Sequence, residues 1–158
     1  MKTALIAVLT LTAPAANAID CPTTDITRTY HQSDVSPDSF VVLLGRFEFD
    51  PSSMPDSEVD VPLDPAPVPA RFIGTALTVD GFTRDATGPV VLQPVCAANW
   101  CGQMAADSAR VIVFARVTDG GYTVALHPCG GAVFSDDATT IAIVTACFQG
   151  KVCNSLDE

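Results

Sequence analysis

Hydrophobic residues follow the pattern of β-strands over most of the chain. The stretch "FVVLLGRFEF" (40–49) is apolar first and then alternating, which predicts a strand buried at its start and half-exposed at Arg46 and Glu48. Similar runs at 71–82 and 88–96 predict two further strands. The first half of the chain is therefore expected to be mainly β.

The clearest element is "ARVIVFARVTDGGYTVALHPC" (109–129). Two alternating runs flank the turn residues 119–121, and glycine accepts the positive φ that a tight hairpin turn requires. With this hairpin the chain has five predicted strands, short turns and no βαβ rhythm. The pattern predicts an antiparallel sheet closed into a small barrel or sandwich.

Two short helices are expected to flank the sheet. Thr24 or Asp25 is placed to cap a helix that carries Ile26 on its apolar side. Near the end of the chain, residues 134–150 predict a second helix capped by Ser135. Its many β-branched residues leave a strand as the alternative.

The first residues have the pattern of a secretory signal peptide. Lys2 precedes an apolar run at 4–13 that is too short to span a bilayer, and "ANA" (16–18) provides the small residues of a cleavage site. We expect a signal peptide at 1–18 and a single domain at 19–158. No later apolar run reaches membrane length, so no membrane span is expected.

The segment between the first two strands, residues 50–69, is rich in proline and acidic residues. Because proline cannot donate to a strand ladder, the segment is predicted to be an exposed loop. Loops of this length in compact domains are commonly functional or disordered. The acidic residues do not have the spacing of a calcium-binding loop.

The charge balance argues against anionic partners. The chain has 18 acidic and 8 basic residues and a formal net charge of −10. Such a surface repels phosphate backbones and anionic lipids, so nucleic-acid binding is not expected.

All six cysteines follow the predicted signal peptide, and an even number in an oxidising compartment predicts three disulfides. The spacing of the closest pairs, four and five intervening residues, is not typical of zinc or thioredoxin-like sites. No metal or other cofactor is therefore expected. The predicted disulfide residues are Cys21, Cys96, Cys101, Cys129, Cys147 and Cys153.

Signals of catalysis are weak. His31 and His127 are isolated, and the chain has neither a Gly-x-Ser-x-Gly elbow nor a phosphate-binding loop. No catalytic residue and no enzymatic activity are predicted. Trp100, between two cysteines, either packs against a disulfide or anchors a partner.

The order of the motifs resembles that of the netrin-like domain, and within it the inhibitory domain of the tissue inhibitors of metalloproteinases. The resemblance is carried by Cys21, the apolar strand at 40–49, the pair Cys101-Gly102, and the hairpin with its cysteine at 109–131, followed by a helix. It implies a five-stranded OB-type barrel with flanking helices. The short signal peptide and the lack of an Asn-x-Ser/Thr acceptor suggest a bacterial version.

The resemblance also implies a disulfide pattern. Cys21 would pair with Cys101 or Cys129, and Cys96 would take whichever of these two is left. The last two cysteines would form a local bond at the C-terminal helix. In the second of these arrangements the two cysteines of "VCAANWCGQ" (95–103) are bonded to each other, and in the first they are not.

The resemblance implies a protein-binding role. The family's inhibitors chelate a protease zinc ion through the amine and carbonyl of an N-terminal cysteine. Here the expected first residue is Ile19, so Cys21 is third, and Thr23 stands where the family has its second early cysteine. That inhibitory mode would require cleavage directly before Cys21.

We therefore predict a secreted or periplasmic protein-binding module, with a protease as one kind of partner. The alternatives are a structural envelope or extracellular protein without a specific ligand and, less favoured, an enzyme with an unrecognised site. The expected partner-binding residues are Cys21, Asp56, Glu58, Asp60, Asn99 and Trp100.

Overall fold

A computed structural model describes residues 21–59, 64–105 and 109–154. The predicted signal peptide and the candidate residue Asp60 lie outside these ranges. The elements are α1 (Ile26–Asp34), β1 (Phe40–Phe49), a 3-10 turn (Pro51–Ser53), β2 (Val68–Thr78), β3 (Gly81–Asp85), β4 (Gly88–Pro94), β5 (Cys96–Ala97), β6 (Trp100–Cys101), β7 (Val111–Thr118), β8 (Gly121–Leu126), β9 (Val133–Ser135) and α2 (Ala138–Phe148).

Five of these strands close into a barrel, and they are the five that the sequence predicts. β1 pairs with β2, β2 with β4, β4 with β8, β8 with β7, and β7 returns to β1. β3 extends β2 outside the ring, and β9 adds to the free part of β7. The mainly-β fold with two short helices is confirmed.

The prediction that the sheet is purely antiparallel is wrong, because β4 and β8 run parallel. Strands around a closed ring can alternate in direction only if their number is even. A closed ring of five strands must therefore contain at least one parallel pair. The parallel pair lets the ends of β4 and β8 meet at the same rim, where Pro94 lies opposite Leu126.

The core has two layers on either side of the barrel wall. Inside the barrel, Phe72 and Leu92 are fully buried in a cluster with Phe47. Outside, the opposite faces of β1 and β7 pack against α1 and α2, where Val144 is fully buried. β1 is therefore buried on both faces at its centre, which explains the unbroken apolar run at its start.

The helix boundaries correct one prediction and confirm another. Asp25 caps α1 by accepting a hydrogen bond from the backbone N–H of Thr27. Ser135 does not cap α2, because it ends β9, and Asp137 takes the capping position instead. Asp137 accepts from the backbone N–H of Thr140 at 2.9 Å.

Three disulfides join all six cysteines, as the sequence predicts. Cys21 bonds to Cys129 across 108 residues of chain, and Cys147–Cys153 is local to the end of α2. The third bond joins Cys96 to Cys101. Of the two arrangements that the resemblance implies, the one that closes "VCAANWCGQ" upon itself is observed.

No helix within the described ranges is long and apolar enough to cross a membrane.

Candidate functional site

A small disulfide-closed hairpin projects from the barrel rim after β4. Its strands β5 and β6 place Cys96 opposite Cys101 and Ala97 opposite Trp100. The turn between them is only two residues long, and such turns need a positive φ. Ala98 supplies it with φ 53°, the one non-glycine residue in the left-handed region among those described. A non-glycine residue in that region costs about 1–2 kcal/mol, so the disulfide and the strand pairing hold the turn against local strain.

The proline-rich loop is bonded to this hairpin. The backbone N–H of Val59 donates to the carbonyl oxygen of Asn99 at 2.8 Å, and the N–H of Cys101 donates to the carbonyl oxygen of Ser57 at 3.0 Å. The side-chain amide of Gln103 donates to the carbonyl oxygen of Pro55 at 2.8 Å. Residues 55–59 of the segment that the sequence describes only as exposed loop are therefore fixed in place. We call residues 56–59 and 97–100 together the loop–hairpin surface.

The hairpin is held close to the barrel by the residues on either side of it. The N–H of Val95 donates to the carbonyl oxygen of Leu126, and the N–H of Gly102 donates to the carbonyl oxygen of Val95. A Cβ atom on Gly102 would collide with the Leu126 carbonyl, so only glycine fits this approach. The loop–hairpin surface is thus continuous with the barrel rim.

The structure brings four of the predicted partner-binding residues together. Asp56 and Glu58 are exposed on the loop side, while Asn99 and Trp100 are half-buried on the hairpin side. Glu58 lies directly opposite Trp100 in an isolated β-bridge. Cys21 is bonded to Cys129, in the connection after β8, and not to the hairpin.

The loop–hairpin surface carries only negative formal charges. No lysine or arginine occurs in 50–69 or in 86–108. At the start of the loop, hydrogen bonds from the side chain and backbone N–H of Ser52 hold the pKa of Asp50 below its ordinary value. The carboxylate therefore stays ionised to a lower pH than an aspartate without these bonds.

Apart from the loop–hairpin surface, a groove that the sequence did not predict lies on the outer barrel wall beside α1. It is a groove of about 440 Å³ whose lining includes Ser33, Phe114, Thr123, Ala125 and His127. The outward residues of β8 read as an ordinary solvent face in the sequence. The groove arises because β7 and β8 separate beyond Thr123. A hydropathy pattern does not predict where two paired strands separate.

The histidines do not form a site. His127 is exposed at the groove, and His31 is exposed on α1. Within the described ranges, no group of three or more histidine, cysteine, aspartate or glutamate side chains is placed to hold a metal ion.

No family model, curated protein or solved structure matches the chain.

Proposed function

We propose that the protein is an exported, disulfide-bonded module that binds a partner protein through the loop–hairpin surface. The observation that supports this most strongly is the backbone pairing of Ser57 and Val59 with the closed hairpin. A surface ordered before binding loses less conformational entropy when the partner arrives, so more of its contact energy appears as affinity. Trp100 lies at its centre, and tryptophan is enriched among residues that dominate binding energy.

Export follows from two features taken together. Three disulfides in a small domain are typical of chains that fold in an oxidising compartment. The pattern of residues 1–18 is that of a cleavable signal peptide. The proposed location is the periplasm or the extracellular space.

We further propose that the domain is a netrin-like, OB-type barrel. A closed five-stranded barrel with flanking helices supports this, as does the bond from Cys21 to Cys129, one of the two partners that the resemblance implies. In the family the long loop between the first two strands can contact the partner, and by this resemblance residues 50–69 correspond to that loop.

The binding proposal is tested by site-specific photo-crosslinking. A photoreactive residue at Asn99 is introduced into the exported protein, and partners cross-linked in the periplasm or medium are identified. We expect one dominant protein partner, which loses cross-linking when Trp100→Ala or the pair Asp56→Asn and Glu58→Gln is added. Because the surface carries only acidic charge, the affinity should also fall as salt is raised.

The matched control is the pair Asp80→Asn and Asp119→Asn, which removes the same charge from exposed turns elsewhere. It should leave cross-linking unchanged. Equal loss in both pairs would mean that net charge, not this surface, mediates binding. The absence of any specific partner would favour the structural-protein alternative.

The narrower idea, inhibition of metalloproteases, needs a separate assay. The purified mature protein is added to a panel of metalloproteases with peptide substrates. Stoichiometric inhibition that is lost in the Trp100→Ala variant would place a protease at this surface. Inhibition that instead requires cleavage directly before Cys21 would indicate the family's zinc-chelating mode.

A further inference from the structure

The groove beside α1 lies where a strand of the barrel loses its partner. β7 and β8 form a hairpin that is paired only as far as Arg116 opposite Thr123. Beyond that point β7 pairs with β9 instead, and the N–H of Phe114 donates to the carbonyl oxygen of Ala132 at 2.9 Å. In the part of the chain that the structure describes, the side of β8 that faced β7 has no strand partner after Thr123.

The next residue on that open side is Ala125. Thr118 and Gly121 flank the two-residue turn and exchange backbone hydrogen bonds across the hairpin. Since every second residue of an antiparallel strand bonds the same neighbour, Thr123 and then Ala125 also direct their N–H and C=O toward the β7 side. The intervening residues face β4, as the bond from the Val95 N–H to the Leu126 carbonyl shows. The N–H and C=O of Ala125 therefore point toward the gap, where a backbone pair requires water or a ligand.

The surroundings of this edge form a shaped recess. The groove holds about 440 Å³, within the usual range of ligand sites, and buried Phe114 lies among its lining residues. The opposite wall is α1, fixed in place because the hydroxyl of Thr29 donates to the carbonyl oxygen of Gly131 at 3.0 Å. At one end Arg116 of β7 pairs with Asp38 at 3.6 Å, and His127, directly after the end of β8, lines the groove at the other.

We propose that this groove binds a short extended peptide of a partner protein by β-strand addition to the open edge of β8. The peptide main chain bonds the N–H and C=O of Ala125, and an uncharged side chain packs toward Phe114. An unpaired backbone N–H and C=O on one strand residue can bond the C=O and N–H of an extended peptide, as in other cases of strand addition to a sheet edge. The site is separate from the loop–hairpin surface and does not depend on it.

The probe is a displayed library of random heptapeptides, selected on the intact disulfide-bonded protein. An enriched peptide is then synthesised with single backbone N-methyl groups at each position in turn. We expect methylation to weaken binding about tenfold at one position only, since a single peptide amide donates to the Ala125 carbonyl and the others face away from β8 or lie beyond Ala125. Loss of affinity at every position, or at none, would overturn strand addition.

Protein variants locate the site. Ser33→Trp fills the groove and should abolish binding, whereas Arg28→Trp, on an exposed part of α1 outside the groove, should not. Ala125→Pro removes the proposed donor and should weaken binding by a similar tenfold. Should that variant fail to fold, as judged by circular dichroism, the Ser33→Trp result and the N-methyl series still decide.

Three other outcomes would contradict the proposal. The first is that no peptide is enriched above background. The second is binding that survives Ser33→Trp but is lost in Trp100→Ala, which would assign the peptides to the loop–hairpin surface. The third is self-association in analytical ultracentrifugation that Ser33→Trp abolishes, which would make a second copy of this chain the occupant.

Discussion

At the scale of single residues, Gly102 shows how closely the hairpin approaches the barrel. It follows the disulfide at Cys101, and its Cα lies against the carbonyl of Leu126, which itself accepts from the Val95 N–H. Any side chain at this position must displace backbone rather than a flexible side chain. Residue 102 therefore controls whether the hairpin can lie against the rim.

Gly102→Ala is expected to lower the free energy of unfolding by about 1–3 kcal/mol, because the added methyl group overpacks a site walled by backbone. The matched control is Gly88→Ala, at a strand position where a Cβ meets nothing within 4 Å. That variant should stay within about 0.5 kcal/mol of wild type. Urea denaturation of both variants measures the difference, and equal stabilities would show that the close approach does not exist.

Asp137 is the residue whose ionisation the fold favours most clearly. Hydrogen bonds from the hydroxyl of Ser135, then from the backbone and hydroxyl of Thr140, hold its pKa well below its ordinary value of 3.8. A folded-state pKa below the unfolded value contributes stability above the unfolded pKa. That contribution disappears as the pH falls through the folded pKa.

Asp137→Asn should therefore lower the melting temperature at pH 7, and the gap to wild type should narrow below about pH 4. Calorimetry from pH 7 to pH 2 measures it. Wild type should itself melt earlier in acid, because the pKa values of Asp50 and Asp85 are also lowered by hydrogen bonds. A gap that is constant with pH would show that the charge of Asp137 does not stabilise the fold, since asparagine caps a helix about as well as aspartate.

At the scale of elements, the disulfides have different tasks. The Cys21–Cys129 bond closes a long loop and ties the segment before α1 to the connection after β8. The Cys96–Cys101 bond joins two cysteines only five residues apart in sequence, which closes the hairpin and sets the shape of the loop–hairpin surface. The first is expected to act mainly on global stability and the second on local order.

Replacing Cys21 and Cys129 by serine should cost about 5 kcal/mol in the loop-entropy model, and replacing Cys96 and Cys101 about 2 kcal/mol. Chemical denaturation compares the two double variants. Amide hydrogen exchange of Val59, which donates to Asn99, should accelerate in the Cys96/Cys101 variant before global unfolding. The reverse order of stabilities, or unchanged exchange at Val59, would contradict this division.

The elements also show what the sequence can and cannot predict. Apolar and alternating runs identified all five barrel strands, because each has a face inside the barrel and β1 is buried on both faces at its centre. The same patterns do not report strand direction, although the odd number of strands in a closed barrel already required one parallel pair. Ser135 was a wrong cap because a serine before an acidic pair is equally compatible with the end of a short strand.

The candidate site was predictable only in part. Trp100 and the acidic loop stood out as residue types, but their contact depends on backbone bonds between segments about 40 residues apart, which no local pattern encodes. The groove beside α1 was missed for a similar reason, since it results from β7 exchanging one partner for another.

At the scale of the whole molecule, a small barrel stabilised by three disulfides presents the two surfaces that we propose bind partners. The loop–hairpin surface lies at the rim where β4 ends, and the groove lies on the outer wall beside α1. Both depend on the disulfide pattern, because Cys96–Cys101 closes the hairpin and Cys21–Cys129 anchors the connection after β8 next to the groove.

The most direct test is peptide mapping by mass spectrometry of the exported protein under non-reducing conditions. We predict a chain that starts at Ile19 and carries three bonds: Cys21–Cys129, Cys96–Cys101 and Cys147–Cys153. Free thiols, bound zinc or a Cys21–Cys101 bond would contradict this prediction, because the hairpin would then lack the bond that holds its surface in shape.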